Sequence, residues 1–153
     1  MNRKNAAFAL VELLIVVTII GILAALVIPQ FTEASYEAKN SALSSDLHTL
    51  RSQCELFKLQ HQHRYPHQMP GVTDGPTFMA VLMGKTNSDG TTTGTPAFGP
   101  YLKEWPTNEF VVGAAGGQLT LGNTAGLAGC TTGWYFDITQ GKMSAGDPAH
   151  RGL

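Results

Sequence analysis

Cysteine is scarce in this sequence: Cys54 and Cys130 are the only two, and they stand too far apart for a CxxC redox or zinc motif. Two readings remain, a bond with each other or two free thiols, and the redox compartment decides between them. Neither sign of charge dominates either, since ten basic and eleven acidic side chains give a formal net charge of -1. Nothing in that balance resembles a nucleic-acid-binding surface, so no nucleic-acid partner is expected. Catalytic signatures are missing too. There is no G-x-S-x-G, no H-E-x-x-H and no Gly-rich loop between a strand and a helix to hold a phosphate. The sequence therefore predicts no enzyme activity and no cofactor.

What is present is unevenly placed. Residues 8–31 hold a dense apolar run, while the remainder is rich in Gly, Thr and His. The segment Phe8–Ile28 is 21 residues long with one charge, Glu12. As a helix it would span roughly 30 Å, enough to cross a bilayer. Arg3 and Lys4 precede it and no basic cluster follows closely, so the positive-inside rule puts residues 1–7 in the cytoplasm and the bulk of the chain outside.

A secretory signal peptide fits poorly, because its apolar region is shorter and ends at an A-x-A-like site. A plain membrane anchor, tethering a binding module or an enzyme, fits length and orientation but leaves Glu12 unexplained. An ionisable group inside a span is costly and points to function. If the chain were cut after Ala7, Phe8 would carry a free amine. Glu12, four residues on, would pair with that amine on its own or a neighbouring helix and so set axial register.

Ala7-Phe8-Ala9-Leu10-Val11-Glu12-Leu13-Leu14-Ile15-Val16-Val17, with Gly21 and Pro29 beyond, closely resembles the prepilin signature of type IV pilins and type II secretion pseudopilins. The resemblance implies that a prepilin peptidase at the inner membrane removes residues 1–7 and methylates the amine of Phe8. It also implies that Glu12 is the glutamate used in filament assembly. One departure is Ala7, where the family normally has Gly. Gly21 lowers helix propensity by about 1 kcal/mol and Pro29 removes a backbone donor. The stretch between them therefore reads as a helix weak point, or as a simple kink near the membrane surface. In filaments of the resembling family this region can lose helical order.

Beyond Pro29, Tyr36, Leu43, Leu47, Leu50, Cys54 and Phe57 recur at spacings of 7, 4, 3, 4 and 3. That is a helical stripe, with Asp46, Arg51, Glu55 and Lys58 on its wet side. One helix over residues 8–63 would be roughly 84 Å long. Residues 66–108 read as loops punctuated by Pro and Gly around a short helix, Phe78–Met83. Four strand candidates follow, Phe110–Val112, Gln118–Leu121, Trp134–Phe136 and Lys142–Ser144. They predict an α+β chain in which a long N-terminal helix packs on a small antiparallel sheet, the pilin-like fold that the resemblance implies. The expected division is a leader at 1–7, a membrane and filament-core helix at 8–29, and a periplasmic domain at 30–153.

The stretch from Gly99-Pro100-Tyr101 to Phe110, and Gly133-Trp134-Tyr135-Phe136-Asp137 with Thr139-Gln140-Gly141-Lys142-Met143, is more similar to major pseudopilins than to adhesive pilins. The implied role is a single-pass inner-membrane subunit that polymerises into a type II secretion pseudopilus. The implied partners are copies of itself, minor pseudopilins and an inner-membrane assembly platform. A cell-surface type IV pilus for adhesion or motility is the alternative.

His61, His63 and His67 read either as a metal-binding trio or as solvated imidazoles at a helix end, and no Cys or carboxylate completes a compact ligand set. Major pseudopilins often bind calcium near the C-terminus. Only Asp137 and Asp147 offer carboxylates there, too few for a cation that takes six to eight oxygens, so no metal is expected. A Cys54–Cys130 bridge would add about 4 kcal/mol in the chain-entropy model. Cys54 on an apolar stripe serves equally as a small hydrophobe.

Overall fold

The computed structural model describes residues 3–153, apart from the side chains of residues 3–7 and of Pro29. Met1 and Asn2 of the expected leader, the side chain of Ala7 at the expected cut, and that of Pro29 at the expected weak point lie outside the described residues. The chain divides into two compact units, Met1–Asn40 and Ser41–Leu153. Helix α1, Arg3–Gln60, supplies the first and opens the second.

In the first unit every described side chain from Phe8 to Ile28 is exposed, and Phe31 with them. A helix apolar all round has no face to keep wet, and such a surface is normally covered by lipid or by other helices.

The second unit is built on the expected stripe. Leu43, Leu47, Leu50, Cys54 and Phe57 are all buried in one core with Phe78, Leu82, Leu119, Trp134, Phe136, Met143 and Ala145. Tyr36, expected at the head of the stripe, is 51% exposed and belongs to the first unit. The helix stops at Gln60, short of the expected residue 63. Gln62 and His63 take φ of 56° and 63°, a left-handed turn that a helix of L-residues cannot continue through. The His63 N–H donates to the Lys58 carbonyl at 2.9 Å, closing the end as a Schellman-type bond.

Helix α2, Gly75–Met83, begins earlier than the apolar stretch alone suggests. Asp74 caps it by accepting from the Thr77 N–H at 2.9 Å, and Pro76 sits in the first turn, where its missing N–H costs nothing. Gly75 is required by space, since a Cβ there would run into the backbone of Leu119.

Three of the four strand candidates form the sheet: β1 Leu119–Gly122, β2 Trp134–Asp137 and β3 Lys142–Ala145, in the order β1-β2-β3. The α+β class holds, but the sheet is mixed. Strands β2 and β3 are antiparallel, with Phe136 opposite Met143, whereas β1 runs parallel to β2, with Leu119 opposite Trp134. A tight hairpin cannot make a parallel pair, and the connection between them carries a 3-10 turn, Gly126–Gly129. Phe110–Val112 is not a strand. The Phe110 N–H donates to the Asn108 side chain at 2.9 Å and the Val111 N–H to its carbonyl at 3.2 Å, so the local turn takes the donors a ladder would need.

Candidate functional site

Phe8 and Glu12 are four residues apart in α1 and share a face. Glu12 is the one ionisable side chain between Phe8 and Thr32, and it borders a shallow surface hollow with Ala9, Leu13 and Val16. Around it, Phe8 is 77% exposed and Leu13 65%. The helix is long and apolar enough to cross a membrane, and Glu12 is the one carboxylate on its apolar stretch from Phe8 to Ile28.

The second unit carries polar groups that fix its own fold. Arg51, expected on the wet face of the helix, reaches the C-terminal segment instead. Its Nε donates to the Met143 carbonyl at 2.9 Å and its Nη2 to the Leu153 carbonyl at 2.6 Å. His61 is fully buried, unlike the solvated imidazole of the sequence reading. It stacks on Phe57 with ring centroids 3.7 Å apart, and its Nδ1 meets the Phe57 carbonyl and its Nε2 the Thr86 Oγ1, each at 2.9 Å. A carbonyl only accepts, which places a proton on Nδ1. His63 is exposed and His67 half-buried. No group of three or more His, Cys, Asp or Glu suited to a metal occurs among the described residues.

Asp137 closes the end of β2. Its Oδ1 accepts from the Thr139 N–H at 2.8 Å, the Thr139 hydroxyl at 2.5 Å and the Gln140 N–H at 3.0 Å, and its Oδ2 accepts from the Thr124 hydroxyl at 2.6 Å. Burial pushes this carboxyl up, but the four donors outweigh it and hold the pKa down at about 2. Asp147 is likewise buried and engaged, by Asn108 Nδ2 at 2.9 Å on one oxygen and His150 Nδ1 at 2.5 Å on the other. Its pKa too is lowered, with desolvation overcome by those two partners. Both carboxylates are buried and already engaged by donors, and two so occupied do not fit a calcium ion, which takes six to eight oxygens.

The pairing of Cys54 with Cys130 is not made, and both are free thiols. Cys54 points into the core between helix and sheet, a cluster to which Cys130 does not belong. The Cys130 sulfur instead lies 3.2 Å from the Thr132 hydroxyl.

The tie made by Arg51, the burial of His61 and the donor set of Asp137 escaped sequence reasoning. Only the last leaves a trace, an Asp-x-Thr turn between two strands with Gly141 at φ 67°.

Residues 2–28 match the family model described as a prokaryotic N-terminal methylation motif. The chain is 35% identical over 72 residues to the type II secretion system core protein G of Dickeya chrysanthemi, 47% of this chain and 46% of that protein. With the core protein G of Escherichia coli it shares 31% over 108 residues, 69% of this chain and 66% of the relative. The type IV major pilin protein PilA of Myxococcus xanthus is 47% identical over 49 residues, 32% of this chain and 22% of that pilin. The chain spans about half the length of most of the curated relatives it matches. No solved structure matches it.

Proposed function

We propose, from the premise that this chain belongs to the type IV pilin-like family, that it is a structural subunit which polymerises into a type II secretion pseudopilus. The observation that carries the reading is a lone carboxylate, Glu12, on an exposed apolar helix, inside a segment matching the N-terminal methylation motif. A prepilin peptidase cuts between Ala7 and Phe8 and methylates the new amine. Before assembly the helix anchors the chain in the inner membrane, with residues 1–7 cytoplasmic and the C-terminal domain periplasmic. During assembly Glu12 pairs with the amine of Phe8 on a neighbouring copy. The desolvation penalty that makes an unpaired Glu12 costly in lipid then favours the partner that supplies the amine. The segment from Gly21 to Pro29 yields as subunits pack. Copies of the chain, minor pseudopilins and the assembly platform are its partners.

Mass spectrometry of the N-terminus tests this reading. The mature chain is expected to begin with methylated Phe8, and an intact Met1 in cells with active prepilin peptidase would sink it. Glu12→Ala is expected to be processed at the wild-type rate yet to yield at least about tenfold fewer filaments, since 1.4 kcal/mol of contact energy is already a factor of ten. Wild-type filament yield from that variant would remove the register role.

Similarity to a type IV major pilin favours a second reading, a surface pilus for adhesion or motility. Deleting the gene separates the two: lost secretion of exported enzymes supports the pseudopilus, and lost surface motility or adhesion with normal secretion supports the pilus.

A further inference from the structure

The turn after β2 is tied together by one carboxylate and four donors from two other places in the chain. Thr124 comes from the connection between β1 and β2, and Thr139 and Gln140 from the turn between β2 and β3. An ionised carboxylate offers about four lone-pair sites; on Asp137 three donors crowd Oδ1 and the Thr124 hydroxyl holds Oδ2. The Thr124 hydroxyl, while donating to Asp137, accepts from Gln140 Nε2 at 3.2 Å, so the donor set is itself braced. Backbone bonds run alongside, from the Gly141 N–H to the Asp137 carbonyl and from the Ile138 N–H to the Gly122 carbonyl, each at 2.8 Å. The segments on either side of β2 are thus held by charge-assisted hydrogen bonds.

A cation approaching Asp137 would find a buried carboxylate with one lone-pair site left, on Oδ2, where the Thr124 hydroxyl is already bound. Asp147 is buried as well and already engaged, by Asn108 on one oxygen and His150 on the other. Elsewhere in the family, calcium bound near this end of the domain would supply the fixation.

We propose that the hydrogen bonds from Thr124, Thr139 and Gln140 to Asp137 replace a divalent cation in this chain, so that the domain reaches its full stability without calcium. The proposal concerns the second unit alone, and it stands or falls independently of N-terminal processing and of filament assembly.

Thermal unfolding of the full chain in detergent, followed by the fluorescence of buried Trp134, tests it. With excess chelator or with about 1 mM calcium chloride the wild-type midpoint is expected to agree within about 1 °C, because a ligand that does not bind the native state cannot raise it. Asp137→Asn is expected to lower the midpoint by about 4 °C or more, equally in both solutions. Should that variant not fold, Thr124→Val, which removes one donor and keeps the carboxylate, is expected to show a smaller loss with the same indifference to calcium. A wild-type midpoint several degrees higher in calcium than in chelator would overturn the proposal. So would an unchanged midpoint in Thr124→Val.

Discussion

At the scale of single residues, burial decides chemistry. Cys54 lies in the core, and desolvation, helped by the neighbouring charge of Glu55, pushes its thiol up to about 12. The thiolate is the reactive species, so Cys54 is expected to resist iodoacetamide at pH 8 in the native protein and to react fully in denaturant. Peptide mass mapping after a timed pulse checks this, and native labelling of Cys54 within minutes would contradict the packing. His61 makes the complementary case. Thr86, its side-chain partner at Nε2, is fully buried. Thr86→Val keeps the shape and leaves a buried ring nitrogen unpaired, which costs about 1–3 kcal/mol. A fall in the urea midpoint with an unchanged slope is the expected result. The sequence offered no sign of this pair, because a histidine beside two others near a helix end looks solvated until the fold brings residue 86 to it.

At the scale of elements, what could be read in advance depended on whether a periodic signal controlled the structure. The stripe from Leu43 to Phe57 repeats on one helical face, and the core follows it. Strand β2 was visible as an apolar run because it is central and buried along its whole length. The misjudged places are those where single polar groups overrule the pattern. Asn108 holds the backbone that a strand at 110–112 would use, and Gln62 and His63 end α1 by left-handed turns that neither residue type announces. The parallel pairing of β1 was hidden for a similar reason, since strand direction is set by the 123–133 connection and not by the strand itself. The β2–β3 turn gives this scale its own prediction. The Asp137 carboxyl, ordinarily at 3.8, is held at about 2. Its stabilising contribution is therefore complete above about pH 4 and disappears as the pH falls through about 2. Midpoints measured from pH 5 to pH 2 should fall for the wild type and fall less for Asp137→Asn. The remaining slope in the variant belongs partly to Asp147, whose pKa is also lowered. Parallel curves for the two proteins would mean that Asp137 is not the titrating anchor.

At the scale of the whole molecule, the two units divide the physical work. Every buried apolar residue of the core lies between Leu43 and Ala145, within Ser41–Leu153, while the run of exposed large apolar side chains from Phe8 to Phe31 lies in the other unit. The buried core and the exposed apolar run therefore belong to different parts of the sequence. A chain beginning at Ser41 loses no core side chain and sheds the surface that calls for lipid or a helical bundle. It is expected to be soluble without detergent, monomeric in sedimentation, and to unfold cooperatively within about 5 °C of the full-length protein, the loss coming from a frayed first turn of helix around Leu43. The reciprocal fragment, residues 1–40, should be insoluble without lipid or detergent. If the Ser41 chain were unfolded, the first unit would be contributing to the core. If it sedimented as an oligomer, the helix from Phe8 to Phe31 would not be the seat of self-association, and Glu12 would lose its place as the register-setting charge.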